Sequence, residues 1–180
     1  MKIAESHSHQ NGYEHILIHK RALWAEIHDV IASVGAGEPG NTATTLATNL
    51  GARGGQEVGT LEHQRRRVGR RQPVASGPQG GLTAEMARPA GSPMLVKDRS
   101  LCEIRLGVDA QDMSVEFSWQ RELYEADLID VGIVLLPTKA TAGSVRTGVA
   151  TYEGELSSLR RRHGRGMPAV PLVLIAIAPD

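Results

Sequence analysis

The chain has 180 residues, a formal net charge of zero and one cysteine. That length holds one core, or one core carrying an insertion, and leaves little room for two ordinary domains. A lone thiol, Cys102, excludes an intramolecular disulfide and fits a reducing, cytoplasmic setting. The most apolar segment, 169–179, is far short of the ~20 residues a membrane span needs, and the opening residues lack a signal peptide's apolar run. No membrane role is expected. Neutrality is reached with sixteen Arg and only four Lys, and the Arg are clustered, so local basic patches exist on a neutral protein.

Residues 1–34 read as a globular start. An apolar run, Ile16 to Ile18, is followed by Leu23, Trp24, Ile27, Val30, Ile31 and Val34 at helical spacing, with Glu26, His28 and Asp29 on the other side. This predicts a helix over Arg21 to Val34 with one buried face, stopped by Gly35 and Gly37. The spelling Gly35-Ala-Gly37-Glu-Pro-Gly40 matches a dinucleotide loop, but it follows a helix rather than a strand and reads as a helix terminator.

Over 35–93 the composition changes: twelve of the twenty glycines fall here, and the segment has no aromatic, Ile, Lys or Asp. It has little with which to build a core. Two readings stay open, a low-order Gly/Arg/Ala-rich linker and a stretch translated out of its ancestral frame. A compact domain seldom carries so long a structureless insertion, which favours the second. Arg65 to Arg67 with Arg70 and Arg71 read as a solvated charge run able to bind phosphate non-specifically.

From Met94 the chain again resembles folded protein. Strand-like runs cover Leu101 to Leu106, Ile129 to Leu136 and Val170 to Ala176, with helical segments near 114–124 and 148–161. The first of these helical segments also alternates with period two through Met113, Val115, Phe117 and Trp119, so pattern leaves a strand open there. The order is that of an α/β domain with a mixed sheet flanked by helices. A turn at Asp98-Arg99 would pair Met94 with Glu103, and side chains two apart share a face, so Glu103 and Arg105 project together beside position 94. Carboxylates at two such opposed positions would hold Mg²⁺ by oxygen, with the residue two further on beside an attacking water. A solvent-facing charge pair explains Glu-x-Arg equally well. His7, His9, His15 and His19 form a possible transition-metal set, and surface histidines are the simpler reading.

The run Glu103-Ile-Arg105-Leu-Gly107, then Asp127-Leu-Ile-Asp130 through Pro137, Tyr152-Glu-Gly-Glu155-Leu, His163-Gly-Arg165 and Pro168-Ala-Val-Pro171 resembles the BglII-like branch of type II restriction endonucleases. The opening Met1-Lys2-Ile3, Asn11-Gly12 and Leu23-Trp24-Ala25-Glu26-Ile27 resembles that family's first strand and helix. The likeness covers 1–34 and 94–180. It implies the PD-(D/E)XK nuclease fold, Mg²⁺ as cofactor, and cleavage of double-stranded DNA by a homodimer within a restriction-modification pair.

Carried over residue by residue, Glu103 matches the metal-binding Glu. Met94 stands where the family has Asp, and Arg105 where it has Gln or Lys. A thioether is a poor ligand for Mg²⁺, and Arg cannot act as a base, which leaves it only phosphate contact or charge stabilisation. The resemblance therefore implies a site-specific deoxyribonuclease with impaired hydrolysis. A catalytically inactive DNA-binding remnant and a frame-disrupted product that does not fold stably stay open beside it. Arg160, Arg161, Arg162 and Arg165 end a predicted helix and are candidates for DNA contact, with Lys20 a weaker one. Cations at a helix C-terminus are also favoured by the helix dipole.

Overall fold

A computed structural model describes residues 1–35, 39–57, 92–106, 116–142, 149–161 and 170–180. Its strands are β1 (Lys2–His9), β2 (Gln56–Glu57), β3 (Met94–Lys97), β4 (Ser100–Ile104), β5 (Val131–Pro137) and β6 (Leu172–Ala178). They form one sheet in the order β1-β6-β5-β4-β3-β2. β4, β5 and β6 run parallel, while β1 joins β6 antiparallel and β2 and β3 complete the other edge antiparallel. The central parallel strands are buried on both faces, which is why they read as continuous apolar runs rather than alternating ones.

Helices cover both faces. On one side lie α1 (Gly12–His19), α2 (Arg21–Ser33) and α3 (Pro39–Ala52), whose Ile16, Leu23, Ile27, Ile31, Leu46 and Leu50 pack on Cys102, Ile104, Ile133, Leu135, Val173 and Ile175. On the other, α4 (Glu116–Glu125) and α6 (Tyr152–Arg161) bring Leu123, Tyr152 and Leu159 onto Leu101, Val134, Leu136, Leu172 and Leu174. The short α5 (Lys139–Ala142) follows β5. The helix expected at 21–34 is α2, and the segment with two possible periods is helical from Glu116.

One expectation needs correction. Within the segment read as having little core-forming material, residues 39–52 form α3, and Gln56–Glu57 pair with β3. Thr42, Ala43, Leu46 and Leu50 are buried at helical spacing, so a stripe of small residues and two leucines suffices where the neighbour is α2 rather than solvent. The rest of the segment, 36–38 and 58–91, lies outside the described residues, and Arg65 to Arg71 fall within it.

Two backbone features set the hairpin and the first helix. Asp98 and Arg99 have φ of 47° and 56°, the double left-handed conformation of a two-residue turn whose twist matches its strands. A Cβ on Gly12 would lie 2.5 Å from the Leu172 carbonyl oxygen, so α1 starts against the β6 backbone where no side chain fits.

Candidate active site on the β3–β4 hairpin

The hairpin has the expected register: Met94 pairs with Glu103, Leu95 with Cys102, Val96 with Leu101 and Lys97 with Ser100. Glu103 and Arg105 share the face covered by α4 and α6, and each is only 1% exposed. They meet there. Arg105 Nε and Nη2 donate to Glu103 Oε1 at 2.8 and 2.7 Å, and Gln120 Nε2 on α4 donates to Glu103 Oε2 at 3.3 Å. Burial pushes the Glu103 carboxyl up from the usual carboxylate range, against the pull of Arg105 and Gln120.

Gln120 is the site residue that sequence reasoning missed. It lies three positions before the buried Leu123, so it belongs to the sheet-facing stripe of α4, and a Gln on an apolar stripe was the available signal. Its Oε1 is buried with no hydrogen-bond partner. The amide fits over β5 because residue 132 is glycine; a Cβ there would come within 3.0 Å of Gln120 Oε1.

The donor set does not suit Mg²⁺, which binds hard oxygens. Glu103 has both oxygens engaged by protein donors, and Met94 opposite it offers a thioether. Among the described residues no group of three or more His, Cys, Asp or Glu is placed to hold a metal ion. Of the histidines, His15 and His19 lie with ring centroids 4.9 Å apart and planes tilted by 48°, and His7 lies across the sheet on β1. Neighbouring Cys102 is inert, its thiol pushed up to about 12 by burial and by the Glu103 charge.

The other candidates are dispersed. Lys20 sits at the hairpin tip, away from Glu103, where its Nζ donates to Asp98 O at 2.6 Å and Asp130 Oδ2 at 3.1 Å. The tip and Asp130 therefore engage the charge of this weaker DNA-contact candidate. Arg99 completes that clamp through Asp127 and Asp130. Arg160 ends α6 close enough to β1 to help hold the His7 imidazole below its ordinary value, after burial. His7, Leu174, Val134, Glu103 and Met94 form one row across the sheet, so Arg160 lies near the far end of the row from Glu103. That is three strand spacings, about 14 Å. Arg161 is exposed and donates to Ser157 Oγ at 3.0 Å. Arg162 and Arg165 lie outside the described residues.

A six-stranded mixed sheet between helical layers, with a Glu on the second strand of an antiparallel hairpin, is the restriction-endonuclease fold. Two solved structures share it. Free BglII matches with a TM-score of 0.68 at 15% identity, over 100% of this chain and 81% of that one. BglII in complex with a DNA 16-mer matches with a TM-score of 0.69 at 13% identity, over 100% and 78%. No curated protein matches the sequence. The model of the restriction endonuclease BglII/BglIII family matches residues 4–177, and the chain belongs to that family.

Proposed function

We propose that this chain is a duplex-DNA-binding member of the BglII family that does not cut by Mg²⁺-dependent hydrolysis. One observation carries the reading: the single carboxylate of the hairpin site is buried and engaged by Arg105 and Gln120, while Met94 stands opposite. Bound in this way, Glu103 is not free to hold a metal ion or to accept a proton from water, and Met94 opposite it can do neither. DNA binding is supported by the family and by a relative of the same fold in complex with a DNA 16-mer. The contact is assigned to the basic end of α6, Arg160 and Arg161 with Arg162 and Arg165 beyond, as phosphate neutralisation. A cytoplasmic homodimer, two-fold on a palindromic duplex, completes the proposal. A changed reading frame within 35–93 is part of the same proposal, and the coding sequence tests it.

The test is a plasmid assay with Mg²⁺ or Mn²⁺ run beside gel retention of linear duplex. Retention that weakens steeply with salt, without nicking in either metal, is the expected result. Metal-dependent cleavage that Glu103→Ala abolishes would overturn the proposal and restore the hydrolytic reading.

A further inference from the structure

We infer that the guanidinium of Arg105 is the resident cation of this site, filling the place a divalent ion would take beside Glu103 and closing the site to metal. The inference deepens the proposed function, since it concerns the same hairpin.

A carboxylate 1% exposed has lost its hydration and needs positive charge and donors from its surroundings to remain ionised. Arg105 supplies both. Two of its nitrogens converge on one carboxylate oxygen, at 2.8 and 2.7 Å, and the amide of Gln120 covers the other at 3.3 Å. A divalent ion entering beside this pair would bring two further positive charges against the guanidinium, in a place where Arg105 already meets the Glu103 carboxylate. In a dry site such repulsion is strong, so the ion and Arg105 exclude one another. Position 94 cannot alter the balance, because a thioether carries no charge and is a soft donor.

The latent ion site is visible in Gln120. Its Oε1 is a hard oxygen, buried, unpartnered and on the amide that already contacts Glu103. Removing the guanidinium leaves the buried Glu103 carboxylate beside the Gln120 amide, and a half-turn of that amide would turn its oxygen toward Glu103. Arg105 thus decides whether the site accepts a metal.

The experiment uses the full chain without DNA and Mn²⁺ as probe, with calorimetric binding and the thermal midpoint as readouts. The wild-type midpoint is expected to be unmoved by EDTA or millimolar Mn²⁺, and Arg105→Lys, which keeps a cation, to behave alike. Arg105→Gln is expected to melt lower by roughly 10 °C and to regain at least half of that loss with Mn²⁺; adding Glu103→Gln removes the response. Should Arg105→Gln not fold, Met94→Asp with Arg105→Gln supplies the second carboxylate, and it is expected to bind Mn²⁺ at least tenfold tighter than Met94→Asp. Wild-type Mn²⁺ binding that Glu103→Gln abolishes overturns the inference, as does the absence of any Mn²⁺ response from both Arg105→Gln proteins. Mn²⁺ held at Glu103 without DNA cutting sinks this inference and leaves the binding proposal standing. Cutting with no ion at Glu103 does the reverse.

Discussion

The two ends of one hairpin carry ion pairs of opposite kinds. At the tip, Lys20 and Arg99 hold Asp130 and Asp127, with Asp127 91% and Asp130 29% exposed. Five residues along β4, Glu103 and Arg105 pair at 1% exposure each. Water shares the work at the tip, so those contacts position a turn whose two non-glycine residues sit at positive φ, and they add little to global stability. At the other end water is excluded, and the Glu103 charge leans on the Arg105 guanidinium in place of hydration. Burial, not the number of ion pairs, decides which of them the fold depends on.

The largest break in that comparison is Arg105→Ala, which leaves the Glu103 charge uncompensated. It is expected to destabilise by about 3–5 kcal/mol in urea titration. Replacing the pair together, Glu103→Leu with Arg105→Met, is expected to recover most of that loss. If the double variant is as unstable as the single one, the cost belongs to packing and not to charge.

Gln120→Met should cost less, about 1 kcal/mol, because it removes a long bond to a charged group but also deletes an orphaned buried acceptor. An effect as large as that of Arg105→Ala would show that the amide, not the guanidinium, holds Glu103. Asp130→Asn stands last, at about 1 kcal/mol or less, and the difference from wild type should vanish in molar salt.

The two carboxylates also have opposite pH signs. Partial burial pushes the Asp130 carboxyl up, but hydrogen bonds from Arg99 and Lys20 outweigh it and hold the group below its ordinary value of 3.8. Its contribution is present above that value and lost as pH falls through the lower folded-state value. Thermal midpoints of wild type and Asp130→Asn should therefore converge on acidification below 3.8; a constant gap would remove Asp130 from the tip clamp. Glu103 runs the other way, since its raised carboxyl contributes stability below the unfolded value and loses it as pH rises through the folded one. In Arg105→Gln, where burial is less opposed, the midpoint is expected to fall between mildly acidic and mildly alkaline pH.

Much of this was legible in the residues, for local reasons. A turn at Asp98-Arg99 with a side-chain period of two is enough to place Met94 opposite Glu103 and Arg105 beside it, and the structure has that register. α2 followed from its apolar spacing, and the buried central strands from their length and composition. Two things needed the assembled fold. α3 has too few large apolar residues to announce itself, and it is held because α2 and the sheet supply the missing surface. Gln120 reaches Glu103 from seventeen residues away only because α4 crosses the sheet above Gly132. The sequence determined which side chains share the hairpin face, since strand geometry is local. Whether that face is open to water or covered was decided by packing, because burial is a property of everything that lies on top.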